Sequence, residues 1–133
     1  MRLKNYLEQH DNIAIEIDFI NSNITSEITD ELAGELAKHI NLLAGKLNIH
    51  LSMEDKYLYP SLKENELTNL SIDEYINEMS GLAKEFNSFK EKYNTKQKLL
   101  SNIPSFKLDG KKIINKILLR IKKEENTIYK LID

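Results

Sequence analysis

Cysteine is missing from this chain altogether. That absence excludes disulfides, thiolate metal sites, iron–sulfur clusters and covalently attached haem. Turn-making residues are scarce, with four glycines and two prolines in 133 residues. A few long helices therefore suit the chain better than many short strands. No apolar run of about 20 residues is present. The start, Met1-Arg2-Leu3-Lys4-Asn5-Tyr6, passes straight into a helical pattern with no signal-peptide core. A cytoplasmic protein with no membrane partner is expected. A net charge of −2 supplies no general pull towards nucleic acid. The sequence also lacks a Gly-rich phosphate loop, a His-Glu-x-x-His and a Glu-x-x-His, so no enzyme of a common kind is expected.

What is there is amphipathic. Hydrophobic residues make up 41% and charged residues 30%, the balance of surface helices around one core, and the length suits a single domain over 1–133. Leu7, His10, Ile13, Ile17 and Ile20 recur at three and four, predicting a first helix that ends near Asn21-Ser22-Asn23. Thr25 or Ser26 is placed to cap a second helix, which Pro60 should stop at about Tyr59. Ser61 to Asn69 reads as a connector. Ser71 is the expected cap of a third helix with the stripe Ile72, Tyr75, Met79, Leu82, Phe86 and Phe89. A break follows at Ser101 to Ser105, and Ser105 or Asp109 opens a last helix carrying Ile114, Ile117, Ile121, Glu124, Ile128 and Leu131. Four amphipathic helices with short links predict an all-α, up-down-up-down four-helix bundle. The basic cluster Lys107, Lys111, Lys112, Lys116, Arg120, Lys122 and Lys123 reads as a solvated helix face, since no aromatic residues interleave it.

One stretch stands out, His50-Leu51-Ser52-Met53-Glu54-Asp55-Lys56-Tyr57-Leu58-Tyr59-Pro60. In a helix, His50 and Glu54 lie one turn apart on one face, in line with Leu36, Ile40, Leu43 and Leu47. An imidazole and a carboxylate that face inward need partners, and together they are a pair of metal ligands. His39 lies three turns away from His50, about 16 Å along the axis, and reads as structural. Tyr57, Tyr59 and Tyr129 are expected to close the bundle end with hydroxyls in water.

The two halves of the chain resemble each other at an offset of about 70 residues. His50 to Tyr59 lines up with Arg120 to Tyr129, and His10, Ile13, Ile17 and Ile20 line up with Met79, Leu82, Phe86 and Phe89. Two facing inward sets follow: His10, His50 and Glu54 against Met79, Arg120 and Glu124.

His10 together with His50-x-x-x-Glu54-Asp55-x-x-Leu58-Tyr59-Pro60 resembles the hemerythrin-like, HHE cation-binding domains across essentially the whole chain. The resemblance implies a bundle around a non-haem di-iron site, with roles in oxygen binding, in sensing iron, oxygen or nitric oxide, or in iron-centre repair. The chain departs from that pattern where Met79, with Glu78 nearby, replaces a third-helix histidine. It departs again where Arg120-x-x-x-Glu124 replaces His-x-x-x-Glu. Four family-type ligands remain: His10, His50, Glu54 and Glu124. They imply one metal ion, iron first and zinc as the alternative, and a small ligand such as O2 or NO. The other reading is a metal-free scaffold acting as a binding or regulatory module. In it, Arg120 supplies the missing positive charge by bridging Glu54 and Glu124, or pairs with Glu124 on the surface. Met79 opposite His10 would also suit a haem axial pair.

Overall fold

The computed structural model describes residues 3–64 and 69–131, the side chains of 69–72 and 131 excepted. Four long helices, α1 (Leu3–Asn23), α2 (Asp30–Met53), α4 (Asn69–Tyr93) and α6 (Ile103–Asn126), form the bundle. Two short helices, α3 (Tyr59–Lys63) and α5 (Lys96–Leu100), and a closing 3-10 turn (Ile128–Leu131) complete it. No strand occurs among the described residues. No helix among them is long and apolar enough to cross a membrane.

Contacts between helix ends give the direction of each helix. His10, early in α1, meets His50 and Glu124, late in α2 and α6. Tyr75, early in α4, bonds Thr127 just beyond α6. Successive long helices therefore alternate up and down, as short links require.

The inward stripe of α2 is as the spacing predicts, with Leu36, Ile40, Leu43, His50 and Glu54 no more than 1% exposed. In α1 the stripe is shifted at its start. Tyr6 is fully buried while Leu7 is 36% exposed, because Tyr6, His10, Ile13, Ile17, Ile20 and Ile24 keep alternating steps of four and three and Leu7 falls out of phase. Tyr75, Met79, Leu82, Phe86 and Phe89 are buried as expected. The side chains of Ser71, Ile72 and Leu131 lie outside those described.

Several helix ends differ from expectation. Thr29, not Thr25 or Ser26, caps α2, its Oγ1 accepting from the Leu32 N–H at 3.2 Å. Ile24 and Ile28 are buried, so core burial claims the link and the helix opens only after it. Helix α4 begins at Asn69, so Ser71 lies within it rather than capping it. It ends at Tyr93, and Thr95 caps the short α5 through Lys98 N–H, which carries the fully buried Leu99 into the core. Asn102 caps α6, with Oδ1 accepting from Ser105 N–H at 3.4 Å. Pro104 sits in the first turn, where no N–H is needed. Asp109 instead accepts from the Tyr93 hydroxyl at 2.6 Å.

Pro60 does not end α2. The chain widens into a π turn over Glu54–Leu58, where Tyr59 N–H bonds the carbonyl five residues back at Glu54, and helical geometry resumes through Lys63. The wide turn relieves the clash that a proline ring makes with the preceding helical turn.

Candidate metal centre

A buried polar cluster sits towards one end of the bundle. His10 comes from the second turn of α1, His50 from the last turn of α2, and Glu124 from the last turn of α6. All three are 3% exposed or less. His10 Nε2 lies 3.2 Å from His50 Nε2 and 3.1 Å from Glu124 Oε1, and His50 Nε2 lies 3.3 Å from the same oxygen. Glu54 stands beside them, its Oε2 3.4 Å from His50 Nε2.

The outer edge of each imidazole decides what its inner edge offers. His10 Nδ1 is 2.8 Å from Glu125 Oε2, and His50 Nδ1 is 2.9 Å from Gln9 Oε1. Both partners are acceptors, so each ring carries its proton on Nδ1. In the neutral ring Nε2 then presents a lone pair inward, the tautomer a metal ligand needs. Tyr59 and Tyr129 donate to Glu54, at 3.2 Å on Oε1 and 2.9 Å on Oε2. Their two protons leave both Nε2 atoms and Glu124 short of a donor, and Glu124 Oε2 is buried with no hydrogen-bond partner at all.

That shortage is one a cation would remove. Metal–nitrogen and metal–oxygen bonds near 2.1 Å in a tetrahedral site place donor atoms about 3.4 Å apart. The observed separations of 3.1–3.3 Å match this spacing. His10, His50 and Glu124 therefore fit a metal ion, with their ligand atoms all within 4.8 Å of one another.

Electrostatics show the same shortage of positive charge. Burial, reinforced by the charge on Glu124, pushes the Glu54 carboxyl up to about 8. Burial pushes His50 down to about 4. For His10, burial acts downward, but hydrogen bonds to Glu124 and Glu125 outweigh it and hold the imidazole above its ordinary value. Burial and the two glutamates raise Tyr129 well beyond a normal phenol. In the absence of a metal, protons must do the neutralising.

The facing sets drawn from the repeat do not survive intact. Glu124 joins His10, His50 and Glu54, but Arg120 does not. Its guanidinium forms an ion pair with Glu78 of α4, so it neither bridges Glu54 and Glu124 nor pairs with Glu124 on the surface. Glu78 also receives Lys123 and is a surface acceptor rather than a member of the cluster. Met79 is 6% exposed and belongs to the same apolar core as Leu47, Leu82 and Phe86. It is core, and no haem partner for His10.

His39 is structural as expected: its Nδ1 lies 2.5 Å from Glu16 Oε2 and its ring stacks on Phe19. Tyr59 and Tyr129 are 3% and 2% exposed, so only Tyr57, at 53%, has the water contact expected of all three.

Sequence reasoning missed Tyr6, Gln9, Tyr59, Glu125 and Tyr129 as parts of the site. A signal for two of them is present. Tyr59 and Tyr129 each follow a buried glutamate by five residues, a position that a regular α-helix turns about 140° away. The π turn after Glu54 and the break at Thr127 after Glu124 rotate them back inward.

A helical bundle whose interior gathers two imidazoles and two carboxylates from three helices is a carboxylate–histidine metal-binding fold. The family model described as the hemerythrin HHE cation-binding domain matches residues 1–132, and the chain belongs to that family. No curated protein and no solved structure matches it.

Proposed function

We propose that this protein binds a single metal ion, iron first, through His10, His50 and Glu124, with Glu54 as the adjoining carboxylate, and that it serves in sensing or storage rather than catalysis. The observation that carries the reading is the pair of inward Nε2 atoms 3.2 Å apart, each ring anchored by an acceptor on Nδ1. In neutral rings the two lone pairs repel at that distance unless a metal ion or a proton lies between them. Two imidazoles and a carboxylate suit ferrous iron with positions left open, and O2 or NO is the class of small ligand such positions take. Zinc is the alternative, since it accepts the same three ligands and a water. Met79 and Arg120 offer nothing to a second ion, which supports one ion rather than two.

A second reading is a metal-free scaffold serving as a binding or regulatory module, in which protons replace the cation. The elevated His10 imidazole and Glu54 carboxyl favour it. Elemental analysis of untagged protein purified without chelator separates the two. One equivalent of iron or zinc that is lost in His50→Ala supports the metal reading. A folded protein with no metal, whose melting is unchanged by chelator, refutes it.

A further inference from the structure

We infer that Tyr129 is itself a metal ligand, and that its phenolate selects ferric iron at this site. The inference rests on the metal-binding reading above. The Tyr129 hydroxyl oxygen lies 3.0 Å from His10 Nε2 and 3.4 Å from His50 Nε2. Those are close to the separations of 3.1 and 3.3 Å that join the two histidines to Glu124 Oε1. Donor atoms of a four-coordinate site stand about 3.4 Å apart, so the phenol oxygen stands at ligand spacing from both imidazoles and could serve as a fourth donor.

The single hydroxyl proton is directed to Glu54 Oε2 at 2.9 Å. The oxygen therefore turns lone pairs, not its proton, towards the two Nε2 atoms. Its ring is held in place, stacked on His10 with centroids 5.1 Å apart and packed on Tyr6 at 5.6 Å. Tyr59 differs: among the described residues its hydroxyl bonds Glu54 Oε1.

On binding, the Tyr129 O–H bond breaks and the oxygen's electron pair joins the metal. The proton would be released to water, as metal binding to a protonated ligand requires. No electron is transferred. A phenolate oxygen is a hard, anionic donor and matches a hard ferric ion better than zinc or ferrous iron.

The test is visible absorption of the full chain loaded with ferric iron, with metal content measured in parallel. The comparison includes Tyr129→Phe and Tyr59→Phe. The parent and Tyr59→Phe should show a phenolate-to-iron charge-transfer band. Tyr129→Phe should lose the band and bind ferric iron about 10- to 100-fold more weakly, while still holding zinc through the remaining three ligands. Ferric iron bound with no band, or a band that persists in Tyr129→Phe, overturns the role of Tyr129 and leaves the metal site standing. Failure of the parent to bind any metal overturns both. If Tyr129→Phe does not fold, resonance Raman of Tyr59→Phe grown with ring-deuterated tyrosine decides the matter. Phenolate ring modes that shift with the label support the inference, and their absence sinks it.

Discussion

Gln9 is the residue whose replacement most directly separates a tuned metal site from a chance cluster of polar groups. Its Oε1 accepts from His50 Nδ1 at 2.9 Å. Gln9→Leu keeps the bulk and removes the acceptor. His50 is 1% exposed, so water cannot readily replace the lost bond. The ring has two responses. It can leave Nδ1–H unpaired, at a cost of about 1–3 kcal/mol. Or it can move the proton to Nε2, where Glu124 Oε1 at 3.3 Å accepts it. The second response relieves the free protein but puts a proton on the lone pair the metal needs. The first response penalises free and metal-bound protein alike; the second stabilises the free protein by up to about 1–3 kcal/mol relative to the bound one, a loss of up to about 5- to 150-fold in affinity. Competition with a chromophoric chelator measures it directly. Gln9→Glu keeps an acceptor against Nδ1 and should bind as well as the parent or better. If Gln9→Leu is folded and binds metal as tightly as the parent, the outward hydrogen bond does not set the tautomer and the reasoning fails.

Two further predictions concern stability without metal. The Glu54 carboxyl is raised to about 8 from 4.5, so its contribution is fully present below about 4.5 and is lost as pH rises through about 8. Glu54→Gln should abolish that loss, and denaturant midpoints in chelator should diverge increasingly in favour of the variant between those limits. Parallel profiles would refute the shift. His50 has the opposite sign. Lowered to about 4 from 6.5, it contributes stability that is present above about 6.5 and is lost as pH falls through about 4. Away from the site, Glu16 is buried and binds Lys46 Nζ at 2.9 Å and His39 Nδ1 at 2.5 Å. Both partners are partly exposed, so Glu16→Ala should cost about 2 kcal/mol rather than the full loss of a buried pair. Metal affinity should be unchanged. A chemical melt shifted no more than by a surface substitution, about 0.5 kcal/mol, would show that this clamp holds nothing.

The order of helices and the inward placement of His10, His50, Glu54 and Glu124 were legible from residue spacing, because every fourth or third residue on a regular helix shares a face whatever surrounds it. The same rule failed wherever the backbone left that geometry. It hid Tyr59, which the π turn brings over Glu54, and Tyr129, which the break at Thr127 turns beneath His10. It also misjudged Arg120. The side chain is long, and Glu78 on the neighbouring helix competes for it, a pairing between α4 and α6 that no single-helix pattern contains.

Sequence alone therefore determined which side of each helix is apolar and which ionisable groups are forced inside, since burial of periodic stripes is a local consequence of 3.6 residues per turn. Tertiary structure decided which of those groups meet. Gln9 reaches His50 and Glu125 reaches His10 only because α1 lies against both α2 and α6. The proton positions that make two imidazoles into ligands depend on those contacts between helices.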